Sequence, residues 1–279
     1  MATKKPQSKA VVSWADELGK YADEAAGMEV NTGGGQFFSL KSGVLSWQDN
    51  PLQNNQMAVV ILDSIMENVF YDGEYDPDNP LGPSCFAFGR DERAMAPHPL
   101  VTEAKNQKCG PSGLCEGCPM NAWGTADKGK GKACRNTRRL AMIPAGNFNQ
   151  ATGKFELIKD EDHFSLTTIG LMKLPVTSVK GYASFVKQVA GTLRRPPFGI
   201  ATKVRVIPDA KTQFKVLFEP LINLPDTLMT VIMKRHEEAK TMIDFPYQPN
   251  DEEESGAKQN NQTTRNRGKG SNNKSKRKY

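Results

Sequence analysis

The chain has 279 residues, 38% of them hydrophobic and 24% charged, a formal net charge of +6 and a mean hydropathy of −0.55. That length suits one sizeable core or two small ones. No stretch approaches the ~18 apolar residues of a membrane span, and the opening MATKKPQSKAVVSWADELGK is basic but lacks the apolar region of a secretion signal. A helical membrane protein, a secreted disulfide scaffold and a repeat array are thereby excluded, and the expected compartment is the cytoplasm.

In chain order, residues 1–35 read as a loose arm carrying a short helix over 14–26, closed by a glycine hinge at 31–35. Strands are predicted over 36–41 and 43–47, and over 57–71, where MAVVILDSIMENVFY is rich in β-branched and aromatic residues. A turn-dense loop over 72–83 precedes a strand at 85–88. After the cysteine-rich stretch, strands are predicted over 138–144, 154–158 and 165–173. A helix over 176–190 is expected with Thr177 or Ser178 as N-cap, Val179, Tyr182, Val186 and Val189 inward, and Gly191 at its end. Strands over 199–207 and 213–218 flank a turn. Pro225 then opens a helix over 226–243 with Leu228, Val231, Ile232 and Met242 inward. Residues 251–279, polar and rich in Asn, Gly and Lys, read as a disordered tail.

Charge is segregated along the chain. Residues 42–89 contain no Lys or Arg but seven acids, whereas residues 163–208 contain no acid but Lys173, Lys180, Lys187, Arg194, Arg195, Lys203 and Arg205. A shorter acid-free basic run holds Lys130, Lys132, Arg135, Arg138 and Arg139, with Lys128 at its head. The tail takes eight basic residues and four acids, which leaves residues 1–250 nearly balanced at 29 basic against 27 acidic. Long basic segments without local counter-charge fit a surface for a polyanion; the alternative is two solvated faces neutralised on folding by the acidic segment.

Four of the five cysteines, Cys109, Cys115, Cys118 and Cys134, are spaced C-x5-C-x2-C-x15-C. A C-x2-C hook lets two thiolates grip one ion from a tight turn, and later cysteines complete a tetrahedron, so a structural Zn²⁺ is expected. Cys85 and His98 are alternatives to Cys109 as the fourth ligand. Pro119, following Cys118, leaves an iron–sulfur cluster as a second reading of the same residues. Four thiolates leave no open position for a catalytic water.

Other motifs fail. GTADKGK at 124–130 follows most of a phosphate-binding loop, but Gly131 stands where Ser or Thr would hold Mg²⁺. Asp72, Glu74, Asp76 and Asp78 alternate like a calcium loop, yet Pro77 and Pro83 occupy the positions of the required glycine and glutamate. His98, His163 and His236 enter no nucleophile–base arrangement in the sequence. No enzymatic activity is expected.

From Cys118 (CPMNAWGT), through GKGKACR at 129–135, to Arg138, Arg139 and Leu140, the chain resembles a group of tailed-bacteriophage single-stranded DNA-binding proteins of replication and recombination. The match is strongest over residues 84–143. The wider plan is also similar to the T4-type helix-destabilising protein, an oligonucleotide-binding (OB) barrel interrupted by a zinc lobe and ending in a charged tail. That protein uses a histidine ligand and an acidic tail, whereas here four cysteines are in place and basic residues follow the acids at 251–254.

The resemblance implies an α+β, β-rich fold. An OB-like core over 36–250 would carry a metal lobe inserted at about 89–137, with flanking helices. The implied partners are single-stranded DNA and replication or recombination proteins, with no membrane. Trp123, inside the lysine-rich lobe, would either stack on a base or pack on the lobe. Lys128, Lys130, Lys132, Arg135, Arg138, Arg139, Arg194, Arg195, Lys203 and Arg205 would follow the phosphates. The rival readings are an interaction protein with a protein-facing basic surface, such as a virion component or host-defence inhibitor, and a metal-dependent nuclease or iron–sulfur repair enzyme.

Overall fold

A computed structural model describes residues 37–48, 50–72, 82–101, 113–127 and 129–247. The predicted N-terminal helix, the charged tail, Cys109 and Lys128 lie outside these residues. Ten strands, β1 (Phe37–Ser39), β2 (Ser46–Trp47), β3 (Asn50–Pro51), β4 (Gln56–Phe70), β5 (Cys85–Gly89), β6 (Arg135–Phe148), β7 (Phe155–Leu157), β8 (Gly170–Leu174), β9 (Ile200–Asp209) and β10 (Gln213–Asn223), form one sheet. Its order is β10-β9-β4-β6-β8-β1-β2-β3, with β5 paired to β4 and β7 to β6. The β1–β8 pair is parallel and the others are antiparallel. Among the described residues three α-helices accompany the sheet: α1 (Glu161–Leu166), α2 (Val176–Gln188) and α3 (Asp226–Met242).

The apolar runs in β4 and β6 explain the layering. Strands covered on both faces read as continuous hydrophobic stretches rather than alternating ones, and Ala58 to Leu62 in β4 and Leu140 to Ile143 in β6 are buried without interruption. Val59, Ile61, Leu140 and Met142 pack under α2 with Tyr182, Phe185 and Val189. Their neighbours Val60, Leu62, Ala141 and Ile143 pack on the other face with Phe164 of α1 and Leu228, Ile232 and Ala239 of α3. The fold is α+β and strand-rich, as expected. The sheet is open along its hydrogen-bonded path, and no described pairing joins β10 to β1–β3. Side chains bring that edge close instead: Asn55 Nδ2 donates to the carbonyls of Gly43 (2.6 Å) and Val206 (3.4 Å).

Two predicted elements differ. Residues 165–173 do not make one strand, because Asp160 caps a helical turn through the amide of Asp162 (3.0 Å) and Phe164 is driven into the core; β8 begins only at Gly170. Helix α2 does not stop at Gly191 but runs into a π-helical turn, Val189–Leu193, ended by Arg194 at φ 52°. Neither Thr177 nor Ser178 is its N-cap. That place falls to Pro175, and buried Ser178 Oγ accepts from the Val216 amide (3.0 Å), tying α2 to β10.

The β4–β6 ladder sets the geography of the candidate sites. β4 pairs with β9 near one end, Gln56↔Arg205 to Val59↔Thr202, and with β5 near the other, Met66↔Gly89 to Phe70↔Cys85. At ~3.3 Å per residue the two ends lie about 30 Å apart.

Candidate functional site

Three features stand out: a cysteine-lined lobe at one end of the ladder, a buried ion cluster beside it, and an uncharged groove at the other end.

The lobe leaves the sheet after β5 and returns at β6. Cys115 N donates to Met95 O (2.8 Å), Cys118 N to Cys115 O (3.4 Å) and Cys134 N to Met120 O (2.7 Å). Asn121 Nδ2 donates to Cys115 O (3.0 Å). Gly117, at φ 78°, makes the sharp turn between Cys115 and Cys118 that a side chain would strain. Cys85, Cys115, Cys118 and Cys134 line one cavity of about 20 Å³ with Phe70, Phe86 and Met120 among its other walls. As placed, no three of the described His, Cys, Asp and Glu side chains converge closely enough to hold a metal ion. His98 stacks on Phe86 (4.9 Å between ring centroids), and its Nδ1 accepts from Leu100 N (3.2 Å).

The predicted basic track is divided by the fold. Trp123 is 79% exposed on the lobe, with Lys132 Nζ 5.6 Å from its ring centre and also donating to Asn121 Oδ1 (3.1 Å). Lys130 and Arg135 are exposed, the latter over the Tyr71 ring. Arg138 and Arg139, adjacent in sequence, point to opposite faces of β6, as the two-residue period of a strand requires. Arg138 lies close enough to Tyr182, under α2, for its charge to act on that hydroxyl. Arg194 is exposed just beyond α2, and Arg195 lies 3.7 Å from Asp226. Lys203 and Arg205 share a face of β9 and both reach Glu219 of β10 (3.9 and 3.3 Å).

Among the described residues, Arg139 is the predicted phosphate contact that lies buried. It is 2% exposed, and its Nη2 donates to Glu67 Oε1 (2.6 Å). Its Nη1 donates to the carbonyls of Ile243 (3.2 Å) and Phe245. The guanidinium lies over Phe88, 4.4 Å from the ring centre. Glu67, wholly buried, also accepts from Tyr247 Oη (2.7 Å) and Thr137 Oγ1 (3.2 Å), and Lys173 Nζ donates to Tyr247 Oη (2.5 Å). This cluster pins the segment after α3 to the sheet. No motif announces it, because Glu67 sits in the acidic segment and its partners come from three distant stretches.

Burial and the Glu67 charge raise the hydroxyl pKa of Tyr247. Burial likewise raises Tyr71 and pushes Tyr182 up to about 12, while it lowers Lys173. Above about pH 10 the unfolded chain releases tyrosine protons that the fold retains, so stability falls with rising pH, by up to ~1.4 kcal/mol per unit for each group. Lys173 acts in the opposite sense only below its ordinary value of 10.5, where the unfolded chain keeps the proton that the fold gives up. Urea unfolding between about pH 9 and 11, followed with tyrosinate absorbance, is expected to show alkaline destabilisation coupled to tyrosine ionisation; unchanged stability across that range would refute it.

The groove is the feature that sequence reading missed. It encloses about 620 Å³, is lined by Phe38, Trp47 and Phe148 together with the amides of Gln48, Gln53, Asn54, Asn147, Asn149 and Gln150, and none of its described lining residues is charged. Phe38 and Trp47, 4.4 Å apart between ring centroids, crowd over Gly170, where a Cβ would stand 2.4 Å from the Phe38 ring. The cations lie at its border: Lys203 and Arg205 are cross-strand neighbours of groove residues Ala58 and Gln56, and Lys203 Nζ is 5.4 Å from the Phe148 ring centre.

No family model, curated protein or solved structure matches this chain. Among the described residues, no helix is long and apolar enough to cross a membrane.

Proposed function

We propose that the protein binds single-stranded DNA without sequence preference and without catalysis, as a replication or recombination factor of the kind tailed bacteriophages carry. In this reading the sheet serves as an OB-like platform and the cysteine lobe as its zinc-bearing insertion. The groove is the observation that carries the proposal. Single-strand binding needs π-faces for bases and cations to follow the backbone. The groove offers Trp47 and Phe148, amides able to meet base edges as donor and acceptor, and Lys203 and Arg205 at its border. A trough whose described lining is uncharged, with Lys203 and Arg205 along one border where both also reach Glu219, suits a polymer whose bases are neutral and whose charge lies on its outer chain. The exposed Trp123 with Lys130, Lys132 and Arg135 forms a second contact at the far end of the ladder.

The test is fluorescence anisotropy with a labelled dT oligonucleotide, competed with duplex DNA at two salt concentrations. The expected result is binding that duplex competes poorly and that weakens with salt, at a slope near −0.7 per phosphate contact. Absence of binding at low salt would discard the proposal and leave groove and cations as a protein-facing surface.

A further inference from the structure

We infer that Gln48 and Asn54 pair with the Watson–Crick edges of unpaired bases in the groove, and that the Asn55 side chain, outside the lining, positions them. This rests on the single-strand reading of the groove and names the residues that tell a single strand from a duplex. Among the described residues other than glycine, six hold a positive φ, and four of them, Ser42, Gln48, Asn54 and Asn55, fall between 42 and 55. A side chain makes this left-handed region costly, and it persists where surrounding contacts over-determine it. Gln48 (φ 48°) and Asn54 (φ 54°) both line the groove and are exposed, so no burial of their own offsets that cost. Asn55 (φ 56°) is not among the lining residues, and its amide is engaged elsewhere. Its Oδ1 accepts from Leu45 N (2.6 Å), and its Nδ2 donates to Gly43 O (2.6 Å) and Val206 O (3.4 Å). The side chain thereby acts as an extra peptide group between the 43–45 arch and β9. Leu52 N also donates to Leu45 O (2.8 Å) and Asn55 N to Leu52 O (3.1 Å). Arch and turn are thus one unit, with Asn54 in the turn and Gln48 just past β2.

The two amides are also unengaged. Gln53 and Gln150 meet each other (3.5 Å), and Asn149 accepts from the amides of Ala151 (3.0 Å) and Thr152 (3.1 Å) and donates to Glu156 (3.3 Å). No hydrogen bond within the described residues takes the side chains of Gln48 and Asn54. An amide sets a carbonyl acceptor beside an N–H donor. The Watson–Crick edge of each base carries donors or acceptors to match, and thymine offers an N3–H between two carbonyls, so the contact tolerates any sequence. In a duplex that edge is taken by the opposite base. Such amides therefore favour a single strand for a reason independent of stacking or charge. A backbone already fixed in the bound form strengthens the contact, because little ordering is left to occur on binding.

The experiment titrates the full-length protein with a dT oligonucleotide and with the same strand built from N3-methylthymine, which keeps the ring face and the phosphates but loses the N3–H. Wild type is expected to bind the methylated strand about 2- to 10-fold more weakly, the worth of roughly one net hydrogen bond. Asn54→Gly should bind dT more weakly by a similar factor and narrow the ratio between the strands, since the two losses share one contact and do not add. Adding Gln48→Gly should close the ratio. Neither glycine should lower the melting temperature, because glycine holds a positive φ without strain. Asn55→Gly, which removes only the side chain, should also narrow the ratio; a merely structural Asn55 would lower the melting temperature and leave the ratio at its wild-type value. If Asn55→Gly does not fold, Asn55→Asp, which keeps the Leu45 contact and loses the two donations, takes its place. Equal binding of both strands by wild type, with dT binding intact, overturns the inference and leaves the single-strand proposal standing on stacking and phosphates. Variants that keep the wild-type ratio overturn the assignment to these residues. Absence of dT binding by wild type overturns both.

Discussion

Glu67→Gln is expected to destabilise the protein by about 3–5 kcal/mol, the cost of breaking a buried ion pair from one side. The carboxylate is wholly buried and meets Arg139, Tyr247 and Thr137 through its two oxygens. Its neutral replacement leaves the Arg139 guanidinium inside the fold without a counter-charge. The carbonyls of Ile243 and Phe245 and the Phe88 ring still solvate that cation in part, which places the effect nearer the lower end. Converted at about 2–4 °C per kcal/mol, the melting temperature should fall by roughly 6–20 °C. A double replacement, Glu67→Leu with Arg139→Met, should recover much of the loss, because removing both charges also removes the desolvation cost. A fall below about 1 kcal/mol for Glu67→Gln would show that the pair contributes little. The single variant should also loosen Phe245 and Tyr247, whose main attachments run through this cluster, and limited proteolysis after α3 reads that directly.

This cluster marks where the sequence stopped being legible. The long apolar runs of β4 and β6 announced central strands because burial on both faces leaves no polar alternation to misread. The extra residues of β6 were hidden: Arg135, Asn136 and Thr137 are polar and pair with Val69, Asn68 and Glu67, so only their partners make them a strand. The same blindness lies behind placing Arg138 and Arg139 together among the phosphate contacts. Arg138 and Arg139 are equivalent as letters, yet a strand must separate them, and only the buried Glu67 explains why one is drawn inside. For the cysteines, the C-x2-C turn was readable from spacing. That Cys85 lines the same cavity was not, because twenty-nine residues intervene before Cys115 and only the fold closes that distance. The groove was least visible of all, since its amides lie in separate turns that each read as ordinary loop.

Phe148→Ala is expected to weaken single-strand binding by about 1–3 kcal/mol, the worth of one base–aromatic stack, or roughly 5- to 150-fold in Kd. Phe148 ends β6 at the groove, half-buried, with Phe155 behind it at 5.9 Å between ring centroids and the Lys203 ammonium over its face. Because a lost stack removes no phosphate contact, the salt slope should stay unchanged. Lys203→Ala should behave differently: affinity falls, and the slope becomes shallower by about 0.7, the signature of one lost phosphate contact on a single strand. The two losses should not add, since the ammonium and the ring also hold each other in place. Unfolding curves for both variants separate this from damage to the Phe148–Phe155 contact. A variant that is less stable but binds dT oligonucleotide as tightly as wild type would make Phe148 a packing residue and move the nucleic-acid surface away from the groove. The lobe would then be the remaining platform, and Trp123→Ala the variant in which the stacking loss must reappear.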